Sequence, residues 1–200
     1  MNSFRLAAFA VSAAGAIAAP AMAHDVVYFA SLNGANESPV NASPGIGFAT
    51  ITVNDDNFTV RVQATFSGLS GTTSAAHIHC CTTVAGAGTA GVATTTPSFV
   101  GFPLGVTAGA LDMTYNMALA SSWNPAYITA NGGTTSTAFA AYITGIAAGK
   151  AYLNIHSTAF GGGEIRGFIT AVPEPGSWAL MLGGLAAVGA QVRRRTSRNS

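Results

Sequence analysis

Apolar and polar residues alternate along several short stretches of this chain, and a period of two marks a strand with one buried face. In FTVRVQATF, residues 58–66, the side chains of Phe58, Val60, Val62, Ala64 and Phe66 share one side, with Arg61 and Gln63 opposite. GFATITV at 47–53 places Ala49, Ile51 and Val53 on one side and Phe48, Thr50 and Thr52 on the other. The turn NDDN at 54–57 joins these two runs into an antiparallel hairpin with one wet face. VVYFASL (26–32), AAHIHC (75–80), LDMTYNMAL (111–119), AYLNIH (151–156) and EIRGFIT (164–170) are further β-prone runs between turn signals. Short strands at this spacing predict an all-β fold, a β-sandwich or Greek-key barrel built from antiparallel pairs.

Two stretches break the period. TAFAAYITGIAAGK at 137–150 sets Phe139, Tyr142, Ile143 and Ile146 at helical spacing ahead of Gly149, which predicts a short crossover helix. NPAYITANGG at 124–133 reads as a helical turn ended by its glycines, and the Thr- and Gly-rich stretch 82–109 as sizeable loops.

The ends of the chain follow other rules. Residues 1–23 carry Arg5, an apolar run to about Ala19, and the small-residue site Ala21-Met22-Ala23, which together make a secretory signal peptide. Residues 173–200 open with Pro173-Glu174-Pro175, continue with an apolar helix over 177–192, and close on Arg193, Arg194 and Arg195. The apolar helix falls short of the roughly 20 residues of a comfortable bilayer span, and the arginines would hold its far end in the cytoplasm. This order of features resembles the PEP-CTERM sorting signal of Gram-negative bacteria. The resemblance implies cleavage near Pro-Glu-Pro by an exosortase, a transient membrane anchor through 177–192, and a cell-surface or extracellular destination. It also implies a host that makes extracellular polysaccharide, a candidate partner.

Between the two segments lies one domain, residues 24–172, long enough to bury a real core. The whole chain has a formal charge of +1, but the domain holds only Arg61, Lys150 and Arg166 against Asp25, Glu37, Asp55, Asp56, Asp112 and Glu164. A mildly acidic domain without basic clusters is no nucleic-acid binder.

The rarest side chains are concentrated at AHIHCC, residues 76–81, which holds two of the four histidines and both cysteines. On a strand His77 and His79 point to the same side, opposite Ile78. In AYLNIH the same parity sets Tyr152, Asn154 and His156 opposite Leu153 and Ile155. With the aliphatic residues facing the core, all three histidines lie on the other face. Pairing the last hairpin symmetrically about Phe160 sets His156 opposite Glu164 and Asn154 opposite Arg166. If the two His-bearing strands are neighbours, His77, His79 and His156 converge. Three imidazoles suit a copper or zinc ion, with Glu164 as a further ligand or as the group orienting His156.

Cys80 and Cys81 admit either a disulfide between neighbours or a thiolate in the metal shell, where Cys81 has the parity of His77 and His79. A cut after Ala23 would place His24 at the mature terminus, where amine and imidazole together chelate copper. Arg166 suits a structural ion pair with a glutamate, Glu37 or Glu164, and Asn154 faces Arg166 across the last hairpin. The chain carries no nucleophile elbow or Ser-His-Asp order, so catalytic residues are not assigned. Exposed aromatics in a groove near Trp123 or Tyr127 would instead favour an enzyme acting on polysaccharide.

SLNGANESPVNASPGIGFATITVND, FSGLSGTTSAAHIHCC and KAYLNIHSTAFGGGEIRGFI, spread over about 27–170, resemble the CHRD domain of chordin and of many bacterial secreted proteins. The resemblance implies an extracellular immunoglobulin-like β-sandwich and carries over His77, His79, His156, Glu164, Arg166 and Glu37, with no catalytic assignment. The His-x-His strand is also similar, more loosely, to copper/zinc superoxide dismutase, but the zinc loop and the fourth copper histidine of that enzyme are missing here. The expectation is an exported, non-enzymatic binding or structural module with a copper or zinc site. The alternative is a copper-dependent redox protein.

Overall fold

The computed structural model describes residues 25–171, together with 183–185 and 188 in the C-terminal segment. The signal helix expected over 1–23, His24, and most of the sorting segment with its hydrophobic helix therefore lie outside the described residues. Among the described residues, no helix is long and apolar enough to cross a membrane.

Every expected strand forms. They are β1 (Asp25–Asn33), β2 (Ile46–Asn54), β3 (Thr59–Ser67), β4 (Thr73–Cys80), β5 (Gly109–Asn116), β6 (Ala151–Ser157) and β7 (Ile165–Phe168), followed by a short β8 (Thr170–Ala171). The two helical stretches form as well. Helix α1 (Pro125–Ala130) starts under an Asn124 cap with proline in its first turn, where a missing N–H is harmless. Helix α2 (Thr135–Ala147) opens on a capping box between Thr134 and Thr137. It stops before Gly149, whose φ of +67° the L-residues rarely adopt.

The strands join in one antiparallel sheet in the order β4-β6-β7-β1-β2-β3-β5, with β8 also on β1. The sheet curls, giving the all-β, sandwich-like architecture expected. The hairpin of β2 and β3 has the predicted parity, with Ile51, Val62 and Val60 buried and Arg61 in solvent. The segment between β4 and β5 does more than loop. It bonds along the free edge of β4, through Ala93 N to Ile78 O and Phe99 N to Ala76 O. Its Phe99 then stacks on Tyr115 of β5 and its Phe102 on Phe66 of β3. One segment thereby covers an exposed edge and holds the curl closed.

The core lies inside the curl. Ile78, Leu153, Ile155 and Ile165 from β4, β6 and β7 are buried there, packed with Trp123, Phe139 and Tyr142 from the helical layer. Each such side chain contributes roughly 1.5–3 kcal/mol by leaving water. Trp123 is only 2% exposed and stacks on the buried Tyr127, so neither ring forms a surface platform. The aromatic groove sought there for polysaccharide is not at these residues.

For function the decisive fact is strand order. The paired residues His79 of β4 and Tyr152 of β6 are 73 positions apart in sequence, yet the two strands are direct neighbours. That pairing puts the two histidine-bearing strands side by side.

Candidate metal centre

The inner faces of β4 and β6 carry Ile78, Leu153 and Ile155 into the core, so parity sends His77, His79 and His156 to the outer face. Their ring nitrogens meet there. One ligand nitrogen from each histidine lies within 4.8 Å of the other two. His77 Nε2 and His156 Nε2 are 2.9 Å apart. An ion with bonds of about 2.0–2.1 Å wants its nitrogens about 3.3 Å apart, so the His77–His156 pair is already near that spacing and any wider separation closes on binding.

The other nitrogen of each ring is committed. His77 Nδ1 faces Pro97 O at 3.2 Å, His79 Nδ1 faces Ala90 O at 2.8 Å, and His156 Nδ1 faces Gly161 O at 3.0 Å. A carbonyl oxygen can only accept, so each Nδ1 carries the proton. In a neutral ring Nε2 is then a bare lone pair. His79 Nε2 is buried without a hydrogen-bond partner among the described residues.

The rings are held neutral. Burial, and after it the neighbouring His79 and His156, push His77 down to about 4. Burial also pushes His79 down to about 4, and lowers His156. Three neutral imidazoles thus aim lone pairs at a common region, and two of them face each other at hydrogen-bond distance with no proton to share. A cation that accepts nitrogen lone pairs answers that arrangement.

Behind the histidines runs a polar row across the sheet. His77 pairs with Asn154, and Asn154 pairs with Arg166, as the symmetric register predicted. Arg166 and Glu37 meet at 3.7 Å, both nearly fully buried, and Arg166 Nε also donates to Asn36 O. Burial pushes the Glu37 carboxyl up to about 7, against the opposing pull of Arg166. A second row holds a stack. His79 lies flat on Tyr152 with centroids 4.6 Å apart and planes 7° from parallel, and the Arg166 guanidinium sits 4.7 Å from the centre of the same ring.

Two expected ligands are not in the cluster. Glu164 lies just before β7, because the glycines at 161–163 turn the chain out of the ladder before it reaches His156. Its buried carboxylate accepts instead from Ser43 Oγ at 2.6 Å and from the backbone N–H groups of Ser70 and Gly71. Burial raises its pKa, but these bonds and one from Ser157 outweigh it, and the net shift is downward. Cys81 is joined to Cys80 in a disulfide, so it offers no thiolate. That disulfide faces α2, where Gly145 leaves room for both sulfurs. Of the cysteine readings, the bond between neighbours is the one realised.

Sequence reasoning missed the supporting residues. Tyr152 shares the histidines' parity, but nothing in the chain marks it as a stacking partner. The carbonyls of Ala90, Pro97 and Gly161 are backbone atoms of loops, and no side-chain pattern announces them.

A family model described as the CHRD domain matches residues 28–169. The chain belongs to the CHRD family. The CHRD match covers every strand from Tyr28 onward as far as β7, so the histidine cluster, the Arg166–Glu37 pair and the Glu164 anchor all lie within it. A PEP-CTERM protein-sorting motif matches residues 171–195, directly after the CHRD domain. The motif marks an exported chain handled by an exosortase-type sorting system at the membrane of a Gram-negative bacterium. No curated protein and no solved structure matches the chain.

Proposed function

We propose that this CHRD protein is an exported binding module that holds one transition-metal ion, copper or zinc, through His77, His79 and His156 outside the cell. The observation that carries the reading is that each Nδ1 faces a backbone carbonyl, which places the proton there and leaves the Nε2 lone pairs for an ion, while one ring nitrogen of each histidine lies within 4.8 Å of the others. These bonds are the usual means by which a protein orients ligating imidazoles and raises their basicity. The module works by binding rather than by catalysis. Its destination is the cell surface or the surrounding matrix.

Equilibrium dialysis of the full chain in detergent against micromolar Cu(II) or Zn(II) tests the reading. The expected result is one ion per chain, with retention lost in His77→Ala and His156→Ala. An unaltered wild-type chain that retains neither ion would overturn it.

A further inference from the structure

Resting on that metal reading, we propose that the site selects monovalent copper over divalent zinc or copper, and that Arg166 reinforces the choice.

The donor set is the first reason. The cluster comprises three residues, all of them histidines, and an imidazole binds a metal as a neutral ligand. The carboxylates of Glu164 and Glu37 are committed elsewhere, Glu164 to Ser43 and the 70–71 backbone, Glu37 to Arg166. The Cys81 sulfur, which as a thiolate would add negative charge, is held in the disulfide. A divalent ion here would find no anionic protein ligand beside it in a half-buried site. A monovalent ion leaves half as much charge uncompensated.

Coordination number is the second reason. Zn(II) takes four ligands in its protein sites and Cu(II) favours four in a tetragonal plane. Three nitrogens from one sheet face satisfy neither unless outside ligands are added. Cu(I), with a filled d shell and no preference for a square plane, is complete with three.

Arg166 is the third. Its guanidinium stacks on Tyr152, and Tyr152 stacks on His79, so a fixed positive charge stands two ring-spacings behind a ligand. Glu37 offsets that charge only in part, because burial pushes its carboxyl up to about 7. A like charge at this distance repels a divalent ion twice as strongly as a monovalent one.

Competition on the full chain in detergent decides it. Under anaerobic ascorbate the protein competes with bicinchoninate for Cu(I). In parallel it competes with chromogenic chelators for Zn(II) and, without ascorbate, for Cu(II). The expected outcome is Cu(I) held at least about 100-fold more tightly than Zn(II), and more tightly than Cu(II), in contrast to the order that divalent ions follow among themselves. Tighter binding of Zn(II) or Cu(II) would overturn the selectivity and leave the metal site standing. Binding of none of the three would overturn both. For Arg166 the neutral pair Glu37→Gln with Arg166→Gln is expected to raise Cu(II) affinity about tenfold while moving Cu(I) less than about threefold. Equal shifts for both ions would remove Arg166 from the account. The wild-type competition decides the selectivity whether or not that variant folds.

Discussion

His77 Nε2 lies 2.9 Å from His156 Nε2, although both rings have already placed their single proton on Nδ1. Two facing lone pairs repel, and a bound cation converts the repulsion into two bonds. Metal should therefore stabilise the fold as well as occupy it. At a free concentration 100 times Kd the gain is about 2.7 kcal/mol, since the unfolded chain has no formed site. Melts of the full chain with and without copper or zinc check this. The expected rise in Tm disappears in His77→Gln and His156→Gln.

Acid should destabilise the metal-free protein through the same rings. His77 and His79 are each held down to about 4 from an ordinary 6.5. Between those values the unfolded chain binds protons that the folded chain refuses. Their contribution is fully present above pH 6.5 and is lost as pH falls toward 4, on the order of 1–2 kcal/mol for each ring. Glu37 works in the opposite sense. With its carboxyl raised from 4.5 to about 7, its favourable contribution is present below pH 4.5 and lost as pH rises through 7. Urea unfolding from pH 4 to pH 8 should show a rise on the acid side that His77→Gln flattens. A shallower decline toward pH 8 should vanish in Glu37→Gln.

Gly145 should resist a change that helices ordinarily welcome. Alanine at an exposed helix interior is favoured over glycine by about 1 kcal/mol. Here a Cβ would press on the sulfurs of both Cys80 and Cys81, which α2 holds beneath it. Gly145→Ala is expected to destabilise by about 1–3 kcal/mol as overpacking. Adding Cys81→Ala, which deletes one of those sulfurs, should recover part of the loss in chemical denaturation.

Glu164 gives the sharpest separation of structure from ligation. Its carboxylate ties the loop at Ser43 and the turn at Ser70 and Gly71 to the start of β7. Glu164→Gln removes a buried charge that four donors have been arranged to meet, and should cost about 2–4 kcal/mol. Metal affinity should change less than about threefold, because the side chain does not belong to the histidine group.

How far these features could be read in advance depends on their range. Parity along a strand is local, so VRVQATF and AHIH declared their buried and open faces, and the fold class followed. The pairing of Asn154 with Arg166 was legible because a short glycine-rich reversal leaves few registers. The same arithmetic failed one step further on. Gly163, at φ +130°, redirects the backbone before Glu164, and no counting rule carries that information. The neighbour relation of β4 and β6 was an open condition in the sequence, because it is set by the curl of the whole sheet. The disulfide was one of two chemical options for adjacent cysteines, and only its packing against Gly145 distinguishes them. The carbonyls of Pro97, Ala90 and Gly161, which fix the tautomers, have no sequence signature.

X-ray absorption at the metal edge of the loaded full chain bears most directly on the three-histidine centre. The expected spectrum has about three nitrogen neighbours near 2.0 Å, with the outer-shell scattering of imidazole rings. A sulfur shell near 2.3 Å, or the signal of a single imidazole in a shell of oxygens, would contradict it.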